Sequence, residues 1–506
     1  MRQRLKDQPI FLLLSGVMAL SMMLPAGHAL AQNNHAVARP FFYTGLLALF
    51  LTVLVAVARG GNRKRRHHKE DLGALQALLA AFVLLPLALA IPFHEAIPET
   101  SFLDAYFEMV SSFTTTGATL YPTEQLSDTL HLWRAQVAWM GGLVIWIAAA
   151  AVLAPLSLGG FEVTSAVSER DARTRLDRFE RAGVVRRAMA IAFRLTPIYV
   201  GLTGALWMFL LIGGDRPLTA FCHAMSTMST SGISPVGGVQ NAASGIGGEM
   251  VIFLFLFFAL SRMTFATDTT VARQAIWRDP EFRMGLALVA SVPVLMFVRH
   301  WVAAFEGDVT EGLRLALLAL WGGFFTVLSF LTTTGFESAE WETARYWSGL
   351  GTPGLILLGL AMVGGGVATT AGGVKLLRVF ALYLAGVREL ERLVHPHSIS
   401  GAGSINRRMR RHGAFQAWIF FMLFAMTLAA ATALFALLGS SFENSMVMSI
   451  SALTTTGPLV RIGAETPIDL ASISAASKGV FCAVMVLGRL ELVAIIALLN
   501  PDLWRD

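Results

Sequence analysis

The sequence predicts an all-α polytopic membrane protein. Four helix–pore helix–helix repeats form a pseudo-fourfold ring, preceded by an N-terminal helical pair. Three observations carry this reading: an apolar composition, basic runs that alternate with connections free of Lys and Arg, and a hydroxyl-rich tetrapeptide ending in glycine that recurs four times. Of 506 residues, 55% are hydrophobic and only 14% charged. A soluble domain carries about a quarter charged residues, so lipid is the expected solvent. Several apolar stretches reach the ~20 residues needed to cross a ~30 Å hydrocarbon core.

The N-terminus comes first. Arg2, Arg4 and Lys6 precede an apolar run over residues 10–24, and Ala29-Leu30-Ala31 has the small residues of a cleavage site. A signal peptide has this pattern. The alternative is a first membrane helix reaching about Ala31. It is favoured because the second span, 41–58, then starts outside and ends at the basic run RGGNRKRRHHK of 59–69. Further basic runs occupy 169–187, 261–283 and 386–412, whereas 93–132 holds neither Lys nor Arg. Placing the basic runs in the cytoplasm gives one consistent topology. The same distribution assigns the net charge of +6 to topology and argues against a nucleic-acid partner. Cys222 and Cys482 fit no metal spacing, and they say nothing about redox compartment.

The chain divides into an N-terminal pair (1–70) and repeats 1 (71–168), 2 (169–280), 3 (281–400) and 4 (401–506). Each repeat is expected to hold a full-length apolar segment, an amphipathic segment of about 12 residues, the tetrapeptide, a polar stretch and a second full-length apolar segment. Twelve helical residues span about 18 Å, too short to cross. A helix that enters and returns on one side is a re-entrant pore helix.

The tetrapeptides are Thr114-Thr115-Thr116-Gly117, Ser229-Thr230-Ser231-Gly232, Thr332-Thr333-Thr334-Gly335 and Thr454-Thr455-Thr456-Gly457. Their glycines are 115, 103 and 122 residues apart, after the lead-ins FEMVSSF, FCHAMSTM, FFTVLSFL and FENSMVMSISAL. A common period implies repeated architecture. A single such site would read as an ordinary helix C-cap. Four, each behind a half-length helix, read as a cation filter. A dehydrated cation needs oxygens in place of its water, and inward backbone carbonyls supply them. A closing glycine permits φ > 0, which β-branched residues resist. Each pore-helix C-terminus adds roughly half a negative charge, so no carboxylate ring is required. Glu108, Glu337 and Glu443 are the nearest acids, and they read as bracing or mouth charges.

Two features point below the filter. In MVGGGVATTAGGVKLLRVF, Gly364-Gly365-Gly366 and Gly372-Gly373 should break a helix, at about 1 kcal/mol each relative to Ala. Broken backbone at membrane depth survives where protein or water satisfies it. A flexible intramembrane loop is the reading, with close helix packing by small residues as the alternative. Arg489 lies 12 residues before Pro501, deep for snorkelling, and an arginine at mid-bilayer normally faces protein or a cavity. It belongs beside the ion path, or else in an ion pair with another helix. Glu491 points elsewhere on the same helix, and Lys478 has no assigned role.

On these residues the chain resembles the Trk/Ktr/HKT cation-transporter superfamily, specifically the potassium-uptake membrane subunit of bacterial Trk systems, over essentially its whole length. The resemblance implies ion-contacting carbonyls on Thr114, Thr115, Ser229, Thr230, Thr332, Thr333, Thr454 and Thr455. Support then falls to Thr116, Gly117, Ser231, Gly232, Thr334, Gly335, Thr456 and Gly457. Glycine in all four loops goes with potassium in that family, whereas serine in the first goes with sodium in some plant members. The second loop's departures from TTTG change side chains and leave carbonyl number intact. The resemblance also implies a gate formed by Gly364, Gly365, Gly366, Thr369, Thr370, Gly372, Gly373 and Lys375, with Arg489. Ala368 stands where many members have glycine. Further implications are potassium as cargo with no organic cofactor, a homodimer in the bacterial inner membrane in contact with lipid, and a cytosolic nucleotide-binding regulatory ring. A sodium or mixed-cation transporter is the alternative within the superfamily. A membrane-embedded enzyme is the alternative of another class. Against it, the sequence has no HExxH, no CxxC and no phosphate-loop spacing around GGGVATTAGGVK.

Overall fold

The computed structural model describes residues 8–58, 70–154, 184–261, 277, 279–303, 313–395 and 413–490. The basic runs 59–69, 169–183, 262–276 and 396–412 lie outside the described residues, as does Glu491. The N-terminal pair is α1 (Ile10–Ala31) and α2 (His35–Ala58). Helix α1 does reach Ala31. It packs on repeat 1, where Gln136 Nε2 donates to the Ser21 carbonyl at 2.8 Å and Phe41 of α2 meets Trp133 edge-on at 5.4 Å.

Repeat 1 comprises α3 (Glu70–Ala96), pore helix α4 (Phe102–Phe113) and inner helix α5 (Asp128–Leu153). Repeat 2 comprises α6 (Val184–Ile212), α7 (Pro217–Ser229) and α8 (Gly245–Leu260). Repeat 3 holds α9 (Pro280–Ala303), α10 (Leu313–Leu331), the short α11 (Trp341–Ser348), and α12 (Gly354–Val363) and α13 (Leu376–Val394) on either side of the glycine-rich loop. Repeat 4 holds α14 (Ala414–Leu437), α15 (Phe442–Leu453), α16 (Leu459–Ile462) and α17 (Ala475–Leu490). Among the described residues, eight helices are long and apolar enough to cross a membrane. The arrangement is that of an all-helical, multi-pass membrane protein.

Pore helices start where the chemistry asks. Ser101 and Ser441 cap α4 and α15 by accepting the amides of Asp104 and Asn444 at 3.1 and 3.2 Å, and Pro217 opens α7 at its first turn. The third departs from expectation. Helix α10 runs 19 residues against 12 or 13 in the others. Its lead-in LRLALLAL contains no cap, Gly or Pro to delay the start. The inner segments depart too: α8 and α12 are shorter than a full span. Each stops where a non-helical segment begins, at Ser261 with φ −144° and at Gly364 with φ +74°.

Each pore helix packs against the inner helix of the preceding repeat: α7 on α5, α10 on α8, α15 on α12, and α4 on α17. That cyclic order closes the ring. Pore helices also pack on the inner helix of their own repeat, and glycine allows that close approach at two equivalent points. A Cβ on Gly141 of α5 would strike the Phe113 carbonyl at the end of α4, and one on Gly488 of α17 would strike Leu453 at the end of α15.

Candidate cation-conducting site

All four pore helices end in the same hydrogen-bonded turn. The third-position amides of Thr116, Ser231, Thr334 and Thr456 donate to Ser111, Ser226, Ser329 and Ser451 carbonyls at 2.8, 3.0, 2.8 and 2.9 Å. The second-position amides of Thr115, Thr230, Thr333 and Thr455 donate three residues back at 2.8–3.2 Å. This 6→1 and 5→2 pair is a Schellman C-cap. The ordinary cap and the candidate filter are therefore the same object. The cap forces its second residue into the left-handed region, and here that residue is threonine: φ is +58°, +52°, +56° and +54° at Thr115, Thr230, Thr333 and Thr455. The sequence reading placed positive φ on the glycines alone. Gly117, Gly232 and Gly335 do take it, whereas Gly457 does not. Gly457 is needed for space, because a Cβ would strike the Ala118 backbone.

The loops touch in sequence order. A Cβ on Gly117 would meet the Ser231 carbonyl, one on Gly232 the Thr334 carbonyl, and one on Gly335 the Pro458 ring. The Gly457 amide closes the circle by donating to the Thr116 carbonyl at 2.6 Å. Hydroxyls stiffen every loop alike. Those of Thr114, Ser229, Thr332 and Thr454 donate to the carbonyl four residues back at 2.7–2.9 Å. Each also pairs with the hydroxyl two residues on, at 2.8–3.1 Å. Serine in loop 2 makes the bonds that threonine makes elsewhere.

With the amides turned back into the pore helices, the carbonyls remain. Among the described residues no donor reaches the carbonyl oxygens of Thr115, Thr230, Thr333 or Thr455, all at most 2% exposed. Ser229 and Thr454 carbonyls accept their own loop's hydroxyls, Thr230 Oγ1 at 2.7 Å and Thr456 Oγ1 at 3.3 Å. Thr115 and Thr455 Oγ1 are buried and have no partner among the described residues. Buried polar groups are normally satisfied, so this is a concentration of unused oxygen, suited to a desolvated cation.

The glycine-rich loop lies directly against these residues. Thr370 Oγ1 bonds Thr230 Oγ1 at 3.2 Å and donates to the Met228 carbonyl at 3.3 Å. The Gly372 amide donates to Thr333 Oγ1 at 2.7 Å, and a Cβ there would strike the Thr454 carbonyl and Thr455 Oγ1. The loop's ends are zipped together: Val374 and Lys375 amides donate to Met362 and Val363 at 2.9 Å. Gly366 donates to Ala259 at 2.9 Å, and the Val367 amide to Glu281 Oε1 at 3.0 Å. Inside the loop, Thr369 Oγ1 donates to Gly366 at 2.7 Å, Leu376 donates to Gly365 at 3.0 Å, and Lys375 Nζ donates to the Ala371 carbonyl. Gly364, Gly373, Ala368 and Lys375 all have positive φ. Arg489 Nη1 donates to the Thr370 carbonyl at 2.6 Å. Among the described residues its Nε and Nη2 have no partner and no carboxylate pairs with it. A cavity beside the glycine-rich loop is lined by this arginine, Thr369, Lys375, Phe424 and the π-turn residues Ala149 and Leu153 of α5.

The acids near the filter have different tasks. Glu108, fully buried, pairs with Arg134 Nε at 2.8 Å. It also accepts the Leu120 amide at 2.6 Å and Thr119 Oγ1 at 2.8 Å. Glu443 accepts the Glu465 amide at 2.8 Å. Glu337, half-buried just past loop 3, is held above the usual carboxylate range by burial, with Arg461 pulling the other way. Lys478 pairs with Asp104 at 2.6 Å, tying α17 to α4.

Two sets of residues escaped sequence reasoning. Ser111, Ser226, Ser329 and Ser451 stand six residues before each filter glycine. Beyond their carbonyls, their hydroxyls bond the loops, as in Ser451 to the Thr456 carbonyl at 3.0 Å and the Phe336 amide to Ser329 at 2.7 Å. Aligning the four lead-ins on the glycine reveals them. Glu249 of α8, fully buried, accepts Trp321 Nε1, Ser338 Oγ and the Ala339 amide at 2.9, 2.6 and 2.6 Å. No local pattern marks it.

The cation transport protein family TrkH matches residues 74–238 and 253–502. The chain belongs to the TrkH family of cation transport proteins. It is 28% identical over 500 residues to the Trk system potassium uptake protein TrkH of Salmonella typhimurium, covering 96% of each chain. It is 29% identical over 437 residues to the Trk system potassium uptake protein TrkI of Halomonas elongata, covering 85% of this chain and 82% of that one. The crystal structure of the potassium transporter TrkH from Vibrio parahaemolyticus superposes with a TM-score of 0.79 at 25% identity, over 100% of both chains. The TrkH-family fold thus spans the whole chain, N-terminal pair included.

Proposed function

We propose that this chain takes up potassium across the bacterial cytoplasmic membrane through its four loops. The carrying observation is the closed ring of loops whose second-position carbonyls, on Thr115, Thr230, Thr333 and Thr455, accept no hydrogen bond among the described residues. Carbonyls of Thr114, Ser229, Thr332 and Thr454 extend the path. The relatives named for potassium uptake support potassium as the cargo. At 100 mV, interior negative, an inward cation gains about 2.3 kcal/mol, an accumulation of roughly fiftyfold. Passive conduction is therefore sufficient.

The 364–375 loop is the gate in this reading. It clamps the hydroxyls of Thr230 and Thr333, and Arg489 holds it by one carbonyl while placing a positive charge in the ion path. Proteins of the "Trk system" name imply further components. We assign the chain to a homodimer that binds a cytosolic nucleotide-binding ring, with co-purification of a soluble partner as the check. The transport reading is tested by rubidium uptake into liposomes holding the purified protein. Uptake above protein-free liposomes is expected, and equal uptake would sink the reading.

A further inference from the structure

Nine residues before the filter glycines stand Glu108, His223, Thr326 and Met448. In three repeats this side chain holds the segment leaving the filter. Glu108 holds Thr119 and Leu120. Thr326 Oγ1 accepts the Ser338 amide at 3.3 Å. His223 Nε2 shares a 2.8 Å hydrogen bond with Ser234 Oγ, which accepts the Val236 amide at 3.2 Å. Met448 has no hydrogen-bonding group of this kind. There the exit is built differently: Pro458 leads into α16, and the Ile468 amide ties it by donating to Val460 at 2.9 Å.

His223 does more than its counterparts. It is fully buried, and among the described residues its Nδ1 has no partner and its one side-chain hydrogen bond is to Ser234. Its ring also meets Phe336 edge-on, at 5.7 Å and 73°. Ser234 follows Gly232 by two residues, and Phe336 follows Gly335 directly. One imidazole therefore touches the exits of two neighbouring filter loops. Those loops also meet through Gly232, which admits the Thr334 carbonyl.

We propose that His223 is a positioning residue for cation discrimination, setting the spacing between loops 2 and 3 by holding Ser234 on one side and Phe336 on the other. The inference rests on the reading of the four loops as the cation filter. A residue that merely filled space could be replaced by methionine, which repeat 4 carries in the same register, without altering the ranking of ions.

The test compares His223→Met, His223→Gln, Ser234→Ala and the His223→Met/Ser234→Ala double variant. Rubidium uptake into liposomes is measured against competing sodium, and amide exchange is followed over residues 233–236. His223→Met and Ser234→Ala should each lower rubidium-over-sodium discrimination about tenfold, equivalent to about 1.4 kcal/mol. The double variant should lose no more than either single. His223→Gln, whose carboxamide can donate to Ser234, should stay within about twofold and restore the exchange rates that His223→Met accelerates. Unchanged ion ranking in His223→Met, multiplicative losses in the double variant, or unaltered exchange would overturn the proposal. Ser234→Ala, the smaller change, decides the matter if His223→Met does not fold. A wild-type protein without cation flux would remove the filter reading, and the exchange comparison would still decide whether His223 holds Ser234.

Discussion

Thr115, Thr230, Thr333 and Thr455 hold backbone conformations that β-branched residues rarely adopt, at about 1–2 kcal/mol each. The Schellman bonds behind them sustain that conformation and turn their carbonyls loose. In the proposed reading, the residues packed against them decide whether the path is open. Gly372→Ala would drive a methyl into the Thr454 carbonyl and Thr455 Oγ1, so the loop could no longer seat. Rubidium flux should rise while thermal stability falls only slightly, and unchanged flux would count against the gate. Arg489→Ala removes a hydrogen bond from a charged donor, worth about 1.5–3 kcal/mol. Flux should rise about tenfold or more in the same assay, and lower flux in folded protein would contradict the assignment. Glu337 gives the pH dependence. Burial raises its pKa, so its negative charge just past loop 3 is present above that value and lost as pH falls through it. Uptake should decline over that range. Glu337→Gln should show the low-pH rate throughout, and a persisting decline in the variant would assign the titration elsewhere.

Among elements, the pore helices carry the precision. Their existence was legible because amphipathic, half-length segments end in a hydroxyl-rich stretch. Their exact extents were not, because α10 continues wherever no cap or Pro intervenes. The inner helices were legible only as apolar runs. Where α8 and α12 stop depends on the loop contact between Ala259 and Gly366, which joins residues over a hundred positions apart. The Glu108–Arg134 pair was invisible because it joins two different helices, and no spacing within either one marks it. It fastens α4 to α5 in a fully buried setting. Glu108→Gln leaves the Arg134 charge without its counter-charge, which should cost about 3–5 kcal/mol. Denaturation of the purified protein in detergent is the check, and an unshifted midpoint would show that the pair contributes nothing net.

At the scale of the whole molecule, one chain closes a ring twice, through loop contacts in the order 1-2-3-4-1 and through pore helices seated on the preceding inner helix. Fourfold repetition was readable from the spacing of Gly117, Gly232, Gly335 and Gly457. The ring order was not, since it rests on contacts such as Gly457 to Thr116 that no local pattern encodes. Nor could the sequence show that the hydroxyls of Thr230 and Thr333 bond the glycine-rich loop while those of Thr115 and Thr455 have no partner among the described residues. The ring is proposed to select potassium. Rubidium uptake into liposomes, competed by external potassium or sodium at equal concentration, tests it most directly. Potassium should suppress the uptake and sodium should leave it nearly unchanged. Equal suppression by both ions, or uptake no greater than in protein-free liposomes, would contradict it.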